Sequence, residues 1–283
     1  MQVKKFNGEL IDYNPKALKI SLTKSGATKD EVAEVFELMT PDIYDGIPTQ
    51  DLYNLAFENL KKYRNSYAAR YSLKKALRDL GPEGFYFEKY IKRLMETSGF
   101  NAVNGITVQG NAVTHEIDVV AQKEDKLFFC ECKFRNDIDA KISVTTPMYF
   151  MSRMIDVKDK EYTFFNKNMK PTKGFLITNA YLTSDSTDWA EYYKIGMISW
   201  NYPENMSLKY LIDNLAIYPI TCLTTLHKDQ IQILLKAGCL LVKDIIEKQE
   251  YLKSLELDNQ LLDSLITEAK ELIEIETIEC YIQ

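Results

Sequence analysis

Two apolar segments separated by a short polar turn constrain this chain more than any other feature. Residues His115-Glu116-Ile117-Asp118-Val119-Val120 run up to Ala121, and Leu127-Phe128-Phe129-Cys130-Glu131-Cys132-Lys133 follow the turn Gln122–Lys126. Each is rich in β-branched, aromatic and other apolar residues at both odd and even positions. The pattern predicts two paired strands in a sheet covered on both faces. Charges inside such strands need a reason. Asp118 falls within the first strand. Glu131 and Lys133 stand two apart on the second and so project from one face. Two carboxylates and an ammonium then converge.

Carboxylates that converge in a covered sheet repel one another. A hard divalent cation offsets that repulsion, and Mg²⁺ is held in this way by one or two carboxylates plus water and phosphate oxygens. Such an ion polarises a phosphate and activates a water. Lys133 is placed to orient that water or to stabilise developing charge, and the Cys132 carbonyl is a further candidate ligand. The competing reading is a structural ion pair on a solvated sheet face, which the apolar flanks disfavour.

The helix–strand pattern around the hairpin predicts an α/β sandwich over residues 84–220. Phe85 to Ser98 reads as an amphipathic helix, Lys141 to Val157 and Ser184 to Ile195 as helices, and Ala102-Val103, Ile106–Val108, Gly174–Thr178 and Gly196–Trp200 as strands. Before it, residues 1–83 open with a strand–turn–strand around Asn7-Gly8, with Val3 and Phe6 leading in. Helices follow, started by Asn14-Pro15, by the Thr28…Glu31 capping box and by Thr49, and the last of them stops at Gly81-Pro82. After the sandwich, residues 221–283 read as short helices, from Lys228 to Ala237, Leu240 to Gln249 and Asn259 to Ile273.

Charge is distributed unevenly. The chain carries −6 overall, and residues 221–283, with 6 basic and 12 acidic side chains, account for a balance of that size by themselves. The C-terminal segment is thus a poor phosphate binder, while the middle can hold a basic groove beside its carboxylates. The five cysteines show neither zinc-site spacing nor a disulfide framework. With no apolar run of membrane-helix length and no signal-peptide pattern at Met1–Lys5, the expectation is a cytoplasmic protein without a membrane partner.

Asp118 followed by Glu131-Cys132-Lys133 resembles the PD-(D/E)XK nucleases, specifically the Mrr-like restriction endonucleases. The resemblance covers about 84–200. Gly110 before the hairpin and Gly174–Asn179 after it are similar to the family's outer strands. It implies a Mg²⁺-dependent endonuclease acting on DNA, with Asp118, Glu131 and Lys133 catalytic, and Asp118, Glu131 and Cys132 around the metal. Glu88, in the helix before the hairpin, stands where the family often places another acid; a solvated helix residue is the other reading. His115 is either a phosphate contact or proton carrier, or a hydrogen-bonded structural residue. Asn179 either lines the cleft or makes a turn. A host-defence role follows from the resemblance alone.

Residues 1–80 resemble the ATP-cone, through Val3-Lys4-Lys5, Gly8, Tyr13-Asn14-Pro15, Tyr44-Asp45-Gly46-Ile47, Thr49 and Tyr67–Tyr71. This implies ATP or dATP as a regulatory nucleotide, near Lys4, Lys5, Gly8 and Lys16. The chain has Ala17 where cones carry a lysine. The other reading is a cone kept as a docking or dimerisation module. Leu223 to Ile246 resembles a helix-hairpin-helix that retains only Gly238 of its two glycines, which implies packing or oligomerisation rather than phosphate contact.

The expected fold is multidomain α/β: an ATP-cone-like hairpin with helices over 1–83, a restriction-endonuclease-like sandwich over 84–220 and a small helical domain over 221–283. The expected function is a DNA endonuclease under nucleotide control, forming a homo-oligomer. The alternatives are a catalytically silent protein that senses DNA or nucleotides, and a nucleotide-regulated scaffold.

Overall fold

The computed structural model describes residues 1–5, 7–81 and 84–274; Phe6, Pro82 and Cys280 lie outside the described residues. The architecture is multidomain α/β with mixed sheets. It divides into two compact units, one formed by Met1–Ala76 together with Ile220–Glu274, the other by Leu77–Pro219. Among the described residues no helix is long and apolar enough to cross a membrane.

In the first unit, Gln2–Lys4 pairs antiparallel with Leu10–Asp12 and parallel with Ile47–Pro48. Gly8 turns the hairpin at φ +86, a left-handed conformation that costs glycine nothing. Asn14 caps the helix Pro15–Thr23 by accepting the Ala17 N–H, and Thr28 and Glu31 form the capping box of the helix Lys29–Met39. The next helix starts at Thr49 itself, with Pro48 at the cap position. Leu18, Leu22, Val35, Met39, Ala56 and Leu60 form the core.

The C-terminal helices close onto this same unit. Arg70 donates to the Glu271 carbonyl at 2.8 Å and Ser66 to the Glu271 carboxylate at 2.7 Å. Glu268, 1% exposed, accepts the N–H and hydroxyl of both Thr224 and Thr225. Asp244 accepts the N–H groups of Leu240 and Leu241. These backbone donors of the hairpin-like segment are therefore satisfied by its own carboxylates.

The second unit carries helix α1 (Phe85–Thr97), strands β1 (Asn101–Gln109), β2 (Thr114–Lys123) and β3 (Lys126–Lys133), the short β4 (Lys141–Ile142), helix α2 (Thr145–Val157), the hairpin β5 (Tyr162–Phe164) and β6 (Lys167–Met169), β7 (Pro171–Thr178), β8 (Tyr181–Leu182), α3 (Ser184–Tyr192), β9 (Gly196–Ile198) and α4 (Leu208–Leu215). The main sheet runs β9-β7-β3-β2-β1. β1, β2 and β3 are antiparallel neighbours, and β3, β7 and β9 are parallel. The sequence pattern predicts one helix from Lys141; instead Lys141–Ile142 pairs with Tyr181–Leu182 as a two-stranded parallel ladder, and the helix begins at Thr145. The ladder claims these two residues, and Ser143 and Val144 separate the buried Ile142 from the helical stripe Phe150, Met154 and Val157.

That stripe packs on the face of the sheet carrying Val120, Leu127, Phe129 and Leu176. Gly174 permits the close approach: a Cβ there would stand 2.8 Å from Phe150 and 2.9 Å from Met154.

Candidate active site

The β2–β3 register pairs Val119 with Cys130 and Val120 with Phe129. Asp118 and Glu131 are the next residues on the two strands, at the end of this pairing. By strand alternation Glu131 and Lys133 share the face of Phe129, the face that α2 covers. The recorded ladder stops at Val119 and Cys130. There the Asp118 carboxylate takes over, accepting the Cys132 N–H at 2.6 Å. On its other edge β3 is held by β7, where the buried Thr178 hydroxyl donates to the Lys133 carbonyl at 2.5 Å.

Asp118, Glu131, Cys132 and Lys133 are all half-buried. Burial raises the Asp118 carboxyl above its ordinary range, against the Cys132 N–H and the charges of Arg153 and Lys133, which lower it. Burial first, then Asp118, raises Glu131 in the same way. Glu88, one turn into α1 and half-buried, is pushed up to about 7 by burial and then by Asp118, Glu116 and Glu131. Four acids thus share one electrostatic neighbourhood, and Asp118, bonded to the amide that follows Glu131, is the charge that most raises it. Glu116, exposed and two positions before Asp118, is the member with no role in the sequence reading.

Arg153 is the second addition. From α2 its guanidinium donates to the Glu131 carboxylate, and both side chains are only 12% exposed. Its signal in the sequence is faint but legible: it stands three residues after Phe150, on the stripe of α2 that faces the sheet, where an unpaired cation is costly. Among the described residues Lys133 makes no hydrogen bond or ion pair through its ammonium.

The remaining candidates divide. His115 bonds through Nε2 to Asp156 at 2.8 Å, and Asp156 also accepts the N–H groups of Ala112 and Val113. His115 therefore belongs to the bracing of the turn before β2. Asn179 is 2% exposed, accepts the Arg135 N–H and donates to the Arg135 carbonyl, both at 2.8 Å. It fixes the loop after β3. Cys132 enters the site through its amide on Asp118. Lys4, Lys5 and Gly8 lie in the N-terminal hairpin, and Lys16 in the first turn of the helix after it. The Lys5 ammonium is ion-paired with Glu9 at 3.1 Å.

Among the described residues no three His, Cys, Asp or Glu side chains are grouped to hold an ion. The donors that fit a divalent cation are the carboxylates of Asp118 and Glu131, hard oxygen ligands whose repulsion a cation relieves. Magnesium, which keeps several waters and takes few protein ligands, suits that set.

Residues 81–148 match the family model of the archaeal Holliday junction resolvase (Hjc), a nuclease family of the PD-(D/E)XK type, and residues 218–273 match that of the AF1548-like C-terminal domain. An uncharacterized protein of Archaeoglobus fulgidus is 30% identical over 182 residues, which is 64% of this chain and 98% of that protein. A crystal structure of the protein of unknown function AF1548 aligns with a TM-score of 0.53 at 29% identity, over 67% of this chain and 97% of that one. Glu88, Asp118, Glu131 and Lys133 all fall inside the resolvase-matched segment.

Proposed function

The chain belongs to the AF1548-like family, and we propose that it is a divalent-metal-dependent DNA endonuclease centred on Asp118, Glu131 and Lys133, with Glu88 beside them. The observation that supports this reading is the half-buried pair Asp118 and Glu131, with Asp118 bonded to the amide after Glu131 and raising its carboxyl, and a lysine two residues on.

Asp118 and Glu131 would hold the cation through their carboxylate oxygens. When bound, the ion supplies Lewis acidity toward a phosphate oxygen and an attacking water. Lys133 offsets charge at the phosphate through Nζ. Glu88, shared between protonated and ionised forms near neutrality, takes up a proton at its carboxylate as the water is activated. The Cys132 N–H keeps the Asp118 carboxylate from rotating away.

Two substrate classes follow from two likenesses. The Mrr resemblance implies foreign or modified duplex DNA and a defence role. The name of the family matched at 81–148 implies branched DNA, and we favour it because that family's model is the one that matches the segment with all four site residues. In the same reading the N-terminal hairpin, through Lys4, Lys5 and Gly8, and the helix after it, through Lys16, bind ATP or dATP and alter assembly or access to DNA.

One observation favours a second reading, a catalytically silent DNA sensor: Arg153 holds the Glu131 oxygen that a cation would need. A four-way junction and a supercoiled plasmid, each incubated with Mg²⁺, separate the readings. Cutting by the wild type that Asp118→Ala and Lys133→Ala abolish supports the nuclease. Retention of DNA without cutting, across metals and nucleotides, supports the sensor.

A further inference from the structure

We infer that Arg153 is a positioning residue that stands in for the cation: it holds Glu131 while the metal is absent and gives up that carboxylate when the metal arrives. The inference rests on the metal-site reading above and names a residue which that reading does not include.

The geometry carries it in three steps. Asp118 accepts the amide next to Glu131 in a partly desolvated site, and two bare carboxylates that close are unfavourable without a positive charge. Arg153 is that charge, paired with Glu131 at 12% exposure on both sides. A divalent ion on Glu131 would put two cations on one carboxylate in a poorly screened place. One of them must withdraw.

The helix cannot be the part that withdraws. Phe150 and Met154 are buried against Gly174 with no room for even a Cβ between them. The movement therefore belongs to the Arg153 side chain. The guanidinium already lies 5.9 Å from the ring of Tyr149, one turn back and itself 64% exposed, so this contact can be kept when Glu131 is released. Arginine on an aromatic face retains favourable contact while its charge points outward.

Two cations that compete for one carboxylate are linked thermodynamically, so removing one strengthens the other's binding. The test is calorimetric titration of Mn²⁺ into the full-length protein without DNA, for wild type, Arg153→Met, Arg153→Lys and Asp118→Asn. Arg153→Met is expected to bind Mn²⁺ about tenfold more tightly than wild type. Arg153→Lys keeps the positive charge and is expected to stay within about twofold of wild type by the same linkage. Arg153→Met should also melt at a lower temperature than wild type without metal, and regain the difference when Mn²⁺ is added. Unchanged or weaker Mn²⁺ binding by a folded Arg153→Met, or equal tightening by Arg153→Lys, overturns the inference. If wild type binds no Mn²⁺ that Asp118→Asn removes, it is the metal-site reading that fails.

Discussion

The Asp118 carboxylate accepts the backbone N–H of Cys132 at 2.6 Å, at the step where the ladder between their two strands ends. A side chain there does the work of a backbone carbonyl. It satisfies a half-buried amide and fixes the carboxylate's direction. Asp118 is thus a structural group, to which the proposed nuclease adds a chemical role, and substitutions at it should separate the two.

Asp118→Asn keeps a carbonyl oxygen for the Cys132 amide but loses the charge. Junction cleavage should fall by roughly 10²–10³-fold or more, since a metal's contribution to such a reaction is several kcal/mol. Stability in urea should change little. Asp118→Ala loses the acceptor as well and should cost a further ~1–3 kcal/mol from the orphaned N–H. Equal stability of the two variants would contradict the bond's structural role.

The acid cluster has a pH signature. Glu88 is raised from its ordinary range to about 7 by burial and then by Asp118, Glu116 and Glu131. A carboxyl raised in the folded state contributes stability that is complete below its unfolded pKa and is lost as pH climbs through the folded one. The melting temperature of the metal-free protein should therefore decline from pH 5 to pH 8, and Glu88→Gln should flatten that decline. Added Mg²⁺ should raise the melting temperature more at pH 8 than at pH 5.5, because ionised carboxylates bind it better. An identical slope in wild type and Glu88→Gln argues against the coupling.

Gly174→Ala probes how α2 seats on the sheet. Its Cβ would lie 2.8 Å from Phe150 and 2.9 Å from Met154. Overpacking of this kind costs about 1–3 kcal/mol, readable by chemical denaturation. A neutral outcome would mean that the helix carrying Arg153 is not held as described.

Glu268→Ala tests the closure of the first unit. It would leave two backbone amides and two hydroxyls of Thr224 and Thr225 without their acceptor. Loss of a buried acceptor costs ~1–3 kcal/mol or more for a charged group. Amide exchange should speed up around 221–226 and in the helix Asn259–Ile273. Unaltered protection there would show that the carboxylate is dispensable.

The nucleotide proposal stands apart from the nuclease one. Titration of ATP and dATP should release heat with wild type and much less with Lys5→Ala. No heat for either nucleotide in the wild type removes nucleotide control and leaves the nuclease reading untouched.

The hairpin was legible because its constraint is local. Two apolar runs, a polar turn and three charges within them set Asp118, Glu131 and Lys133 on neighbouring strands, and the helix read at Asn259–Ile273 has those bounds. What the sequence hid was non-local or short. Arg70 meets Glu271 across two hundred positions, and nothing near either residue announces it. Lys141–Ile142 becomes a strand only because Tyr181–Leu182 lies beside it. The helix Leu208–Leu215, with its Ser207 cap, spans eight residues, too few for periodicity to stand out from loop. Arg153 stands on a sheet-facing stripe, but its partner is hidden until the sheet beneath it is known to carry Glu131.

The most direct measurement is the single-turnover cleavage rate of a labelled four-way junction in Mg²⁺, compared between wild type and Lys133→Met at equal junction occupancy. The account predicts cutting by the wild type, abolished by chelation, and bound but essentially uncut junction with Lys133→Met. A wild type that binds the junction and never cuts it, or a Lys133→Met that cuts at the wild-type rate, would contradict it.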